Sequence, residues 1–204
     1  MSMRKIYIDC GELDGEDGAT GVILGDDGMP VEAVICGVRT YSMPAQHRDG
    51  VYDMLAECCS IEFVFDDAPV RAEFYPVPQL VLFACDGGGG CFCSTSASMD
   101  MAEPDAPIYY VNNALECIYL APNLRALITS AVYTPGLLAR AGVARPRRPL
   151  SYRGQQMLIE RLSLRAADAA DVRAVHEEKG IRMYRDYDSA ASELEFEHLH
   201  GVTP

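Results

Sequence analysis

Eight cysteines and four histidines are the side chains of this chain best suited to chemistry. The cysteines admit three readings. Disulfides require an oxidising compartment. Residues 1–10 carry Arg4 and Lys5 without the apolar run and small-residue cleavage site of a signal peptide, so they read as a strand and the chain is expected in the cytoplasm. A structural zinc requires paired ligands, and the C-x5-C-x-C spacing of Cys85, Cys91 and Cys93 is not a C-x2-4-C hook and is followed by no second hook. Free cysteines otherwise behave as small buried hydrophobes. Cys10, Cys36, Cys85 and Cys117 lie inside apolar runs, which favours this third reading, with no metal and no other cofactor expected. Cys58 and Cys59 are adjacent, and neighbours on a helix point about 100° apart, so they make no ready dithiol.

Other candidate chemistry is sparse. Gly87 to Gly90 could cradle a phosphate with backbone N–H groups, but that needs a helix to follow, together with Lys and Ser or Thr. A β-like Cys91-Phe92-Cys93 follows instead, and Asp86 has the wrong charge, so a hairpin turn is expected. His47, His176, His198 and His200 neighbour no nucleophile and form no H-x-x-x-H pattern, and no G-x-S-x-G elbow occurs. Arg140, Arg145, Arg147, Arg148 and Arg153 are the only basic concentration. Given the overall sign, they are expected to tether the acidic half of the chain and not to touch nucleic acid.

That sign is strong: 17 basic against 30 acidic residues, net −13. Residues 1–107 hold 5 basic and 19 acidic side chains, so nearly the whole negative field lies there. A surplus of acid argues against phosphate contacts and favours a basic protein partner, since opposite fields speed encounter. The candidate contact residues are the turn carboxylates Glu12, Asp14, Glu16, Asp17, Asp26, Asp27, Asp66 and Asp67. No stretch approaches the roughly 20 apolar residues of a membrane helix, so no membrane partner is expected.

The 204 residues, 49% apolar and 23% charged, suit one domain with appendages. Around Gly25-Asp26-Asp27-Gly28, two β-branched runs predict a hairpin. Val51, Met54, Leu55 and Cys58 recur at helical spacing after Asp49, a candidate cap. Residues 61–65, 79–85, 91–96 and 107–111 read as strands, with another over 115–120. Pro122 suits a first helical turn ahead of Leu124, Leu127, Ile128 and Ala131. Helices are expected at Leu158, Ile159 and Leu162, and again from Ala169 through Val172 and Val175 to Lys179. The expected organisation is an α+β domain over 1–134, a Pro/Arg-rich linker over 135–150 and a helical extension over 151–204. The sheet is expected to be twisted, mostly antiparallel or mixed, and flanked by helices.

Three motifs then follow in order: an apolar strand into Asp86-Gly87-Gly88 and a return strand, Pro107-Ile108-Tyr109, and Ala121-Pro122-Asn123-Leu124. Across about residues 75–132 this order resembles the SUKH superfamily, which includes fungal regulators of cell-wall glucan synthesis and bacterial immunity proteins. The family's usual opening helix, Leu-Pro and Asn-Gly have no counterpart here. The resemblance implies an α+β domain without enzymatic activity that binds and blocks a toxin, and it carries over no catalytic residue. The leading expectation is therefore a non-enzymatic, immunity-type protein binder for a basic partner such as a nuclease toxin. A regulatory or scaffold adaptor using the tail beyond Pro149 is one alternative. A thiol- or zinc-dependent enzyme using Cys85, Cys91 or Cys93 is another.

Overall fold

The computed structural model describes residues 19–24, 30–36, 38–68, 70, 72, 74–95, 100–134, 136–170, 176–177, 180–186 and 189–190. In chain order they form β1 (Ala19–Leu24), β2 (Pro30–Cys36), β3 (Val38–Thr40), α1 (Gly50–Cys59), β4 (Glu62–Phe63), β5 (Tyr75–Val77), β6 (Leu80–Cys85) and β7 (Cys91–Ser94). There follow β8 (Ile108–Val111), β9 (Cys117–Ala121), α2 (Leu124–Tyr133), α3 (Gly136–Arg140), α4 (Tyr152–Leu162), β10 (His176–Glu177) and β11 (Arg182–Tyr184). The fold is α+β, its sheets open, with helices on the main one. Two compact units arise, one from Met1–Thr40, Arg71–Leu80 and Lys179–Pro204, the other from Tyr41–Val70 and Val81–Glu178.

In the first unit β1 and β2 pair antiparallel from Ala19–Cys36 to Leu24–Pro30, the hairpin that the β-branched runs predict. β5 and β11 pair antiparallel, and Val77 and Ala190 are buried together beside Tyr75 and Tyr184.

In the second unit the strands run β10-β9-β8-β7-β6, with β4 also on β6, and every ladder is antiparallel. Opposite residues share a face. Ala84, Phe92, Tyr110 and Ile118 form one row and belong to the core that the helices cover. The next row, Cys85, Cys91, Val111 and Cys117, lies on the other face. Leu55, Leu127, Leu137 and Leu158, one from each helix, are almost wholly buried in the same core. Each such side chain contributes about 1.5–3 kcal/mol by leaving water.

α1 and α2 follow from local rules. Asp49 caps α1, its Oδ1 accepting from Val51 N–H at 2.9 Å. Ser60 ends the helix in the left-handed region, and Val51, Leu55 and Cys59 face the core. At α2 the cap is Asn123, whose Oδ1 accepts from Ala126 N–H at 2.8 Å. Pro122 therefore precedes the cap and does not occupy the first turn.

Two segments differ from the sequence reading. Residues 135–150 were expected to be a linker, yet Leu137 and Leu138 of α3 are buried in the core with Ala141 and Val143. A helix was expected from Ala169 to Lys179, but Ala169 and Ala170 follow a 3-10 turn at Ala166–Asp168 without being helical and His176–Glu177 form the strand β10, with Val172 and Val175 outside the described residues. His176 pairs with Tyr119 and Glu177 with Ile118, so the open backbone edge of β9 finds partners that a helix could not supply.

Asp86 locks the β6–β7 turn. It is 6% exposed. Its Oδ1 accepts from Gly88 and Gly90 N–H, both at 2.8 Å, and its Oδ2 from Tyr110 O–H and Ala144 N–H, both at 2.7 Å. Gly90 must be glycine, because a Cβ there would overlap the Tyr110 hydroxyl that Asp86 holds in place. Gly90→Ala is expected to destabilise the protein by about 1–3 kcal/mol, as overpacking does, seen as a lower urea midpoint. An unchanged midpoint would show that Tyr110 moves aside freely.

Candidate protein-binding face

One side of α1 stays open. Asp49, Asp53 and Glu57 recur every four residues and so form one stripe of the helix. Tyr52 stands beside it, half-buried, its ring edge-on to Phe63 and to Phe65, with centroids 5.4 Å away in each case. Arg48 lies 4.3 Å over the Phe65 ring, a cation–π contact.

Two concavities meet at Tyr52 and Phe63. The larger, about 560 Å³, is floored by Val51, Leu55, Phe63, Leu124, Ile128 and Leu162, with Asp49, Glu160 and Arg161 at its polar margin. The smaller, about 330 Å³, adds Phe65 and Ala68 and carries Asp53, Glu57, Glu62, Arg48 and Arg147. Arg125 fixes the far wall of the larger one. It donates to Met101 O at 3.2 Å, and to Leu162 O and Ser163 O at 3.4 and 3.3 Å. A cation is thus placed on the carboxyl end of α4, where the helix dipole favours it.

The arginines of this face are already matched. Arg48 pairs with Asp67 at 2.9 Å, Arg147 with Glu62 at 3.4 Å, Arg161 with Asp49 at 3.2 Å, and Arg148 with Glu57. Arg147 and Arg148 are thereby the tethers to the acidic half that their position in the sequence suggested. These pairs are solvent-exposed, worth about 0–1 kcal/mol each, so they shape the charge pattern more than the stability. Asp53, Asp66 and Glu160 form no ion pair among the described residues.

Of the sequence-predicted contact residues, Asp66 and Asp67 lie between Phe65 and Ala68, which line the smaller concavity, but do not line it themselves. Asp66 Oδ1 accepts from Ala45 N–H at 2.8 Å, and Asp67 holds Arg48. Glu12, Asp14, Glu16, Asp17, Asp26 and Asp27 lie outside the described residues. Sequence reasoning missed Arg48, Tyr52, Asp53, Phe63 and Phe65. The four-residue repeat of Asp49, Asp53 and Glu57 was a legible signal for this stripe, whereas the aromatic convergence was not.

Other chemistry finds less support. The Gly88 and Gly90 N–H groups point at Asp86 and are not free to hold a phosphate. Burial alone would push the Asp86 carboxyl up, but its hydrogen bonds from Ala144, Tyr110, Gly90 and Gly88 outweigh burial and hold it below the usual range. Burial pushes the thiols of Cys58 and Cys93 up, and that of Cys59 up to about 12, and the facing Cys91 thiol together with burial pushes that of Cys85 up, so none of these four stands ready as a thiolate at neutral pH. Among the described residues no three His, Cys, Asp or Glu side chains gather as metal ligands. His47 sits exposed in the 3-10 turn Ala45–His47. No described helix is long and apolar enough to cross a membrane. Comparison with known proteins finds no matching family model, no matching curated protein and no matching solved structure.

Proposed function

We propose that this protein is a non-enzymatic protein-binding domain that acts in the cytoplasm as an immunity-type antidote, gripping a basic partner such as a nuclease toxin through the α1 face. The observation that carries the reading is the joined pair of concavities at Tyr52 and Phe63, whose lining arginines Arg48, Arg147 and Arg161 are all matched while Asp53 and Glu160 form no ion pair among the described residues. An apolar floor with leftover negative charge suits a segment that combines apolar side chains with Lys or Arg. The net charge of −13 adds long-range attraction to such a partner. The resemblance of residues 75–132 to the SUKH superfamily points the same way. The adaptor reading places the grip in the region beyond Pro149; there Leu158 of α4 is buried in the core and Leu162 lines the same groove, so both readings are tested at this face.

The test is capture from the native cell by the full chain, alongside a Tyr52→Ala/Asp53→Lys variant, followed by co-expression of each with the captured protein. Retention of a basic protein by the wild type, its loss by the variant, and relief of its toxicity by the wild type alone are expected. A captured protein held equally by both chains would contradict this site.

A further inference from the structure

Cys85 and Cys91 face each other across the base of the β6–β7 turn. They are directly opposed in the ladder, and their sulfurs are 3.8 Å apart. The neighbouring pair carries the backbone bond from Asp86 N–H to Gly90 O at 2.9 Å, which makes Cys85–Cys91 the non-hydrogen-bonded pair, the kind whose side chains approach most closely. Non-hydrogen-bonded partners have Cα atoms about 4.5 Å apart, within the range that a disulfide spans, so rotation about the Cα–Cβ bonds is the movement that brings such sulfurs to bonding distance. Cys85 is half-buried and Cys91 is 8% exposed, so solvent reaches the pair from the Cys85 side. Cys93, in contrast, is wholly buried and lies opposite Leu82 and Tyr109, not opposite a thiol.

We propose that Cys85 and Cys91 form a dithiol site that takes up a small-molecule disulfide and is converted to an intramolecular disulfide. Cys85 loses its proton to solvent, and its sulfur attacks one sulfur of the incoming disulfide. A mixed disulfide forms and one thiolate leaves. Cys91 then loses its proton, attacks the Cys85 sulfur and expels the second thiolate. The protein pair gives up two electrons, the incoming disulfide gains them, and the two released protons neutralise the leaving thiolates. Both the facing Cys91 thiol and burial push the Cys85 thiol up, so the reaction is slow at neutral pH and faster in mild base. The new bond closes the turn that Asp86 already holds from within.

The native full chain is incubated in a glutathione buffer containing the oxidised form, quenched in acid, alkylated and mapped by mass spectrometry after peptic digestion. A linked peptide joining Cys85 to Cys91, lighter by two hydrogens, is expected, and Cys93→Ser should leave it unchanged. Cys91→Ser should instead trap a glutathione adduct on Cys85. Two alkylated thiols at these positions in the wild type, or a wild-type adduct on Cys85 that Cys91 never resolves, would overturn the proposal. The α1 groove plays no part, so these results are independent of partner binding.

Discussion

Asp86→Asn is expected to destabilise the protein by about 3 kcal/mol, roughly a 150-fold shift in the folding equilibrium. The wild-type carboxylate receives four donors: two glycine N–H groups, Tyr110 O–H and Ala144 N–H. An asparagine offers one oxygen, and its NH2 group must face either the two glycines or Tyr110 and Ala144. At least one buried N–H is then left without an acceptor, which costs about 1–3 kcal/mol in addition to the lost charge-assisted bonds. Urea unfolding of the two chains measures the difference. A change under 1 kcal/mol would mean that the lock contributes little. The same carboxyl gives the wild type an acid-side dependence. Its folded value is lowered, so its contribution is fully present above the ordinary aspartate range and is lost as pH falls through the folded value. The stability difference between wild type and Asp86→Asn should therefore be constant near neutrality and shrink in strong acid.

Tyr52→Ala is expected to weaken partner binding by at least 2 kcal/mol, about 30-fold, while leaving the fold intact. Tyr52 is a buried-edge aromatic shared by both concavities, the position that hot spots favour. Its hydroxyl stays protonated at neutral pH, since burial and then the nearby Asp49 and Tyr41 push it up. Asp53→Lys should act differently. It removes an unmatched charge from the rim, so association should slow and the salt dependence should flatten, with a smaller effect on dissociation. Calorimetry and stopped-flow kinetics with the captured partner separate the two. A Tyr52→Ala chain that binds as tightly as wild type would place the grip elsewhere.

Much of this was legible from local pattern. The cap at Asp49, the helical spacing through Cys58 and the Leu124–Ala131 periodicity specify α1 and α2, because cap and stripe lie within a dozen residues. The apolar run before Asp86 and the alternation after Gly90 specify β6 and β7 for the same reason. Contacts between distant residues were not legible. β10 exists because His176 and Glu177 meet Tyr119 and Ile118 at a sheet edge, and nothing near His176 announces that. The prolines and arginines of 135–150 resemble a linker, yet Leu137, Leu138, Ala141 and Val143 have core to fill. Asp86 looked merely unsuited to phosphate, and its role requires Tyr110 and Ala144, far along the chain. The face was less legible. Asp67 reaches it only by holding Arg48, and its floor depends on Tyr52, Phe63 and Phe65 converging from a helix, a strand and a bridge.

Amide hydrogen exchange on the full chain, alone and saturated with its captured basic partner, tests the α1 face most directly. Slowed exchange over residues 48–68 and 158–162 is predicted, with the β6–β7 turn unchanged. Unaltered exchange in both segments, with protection appearing instead around residues 136–150, would contradict it.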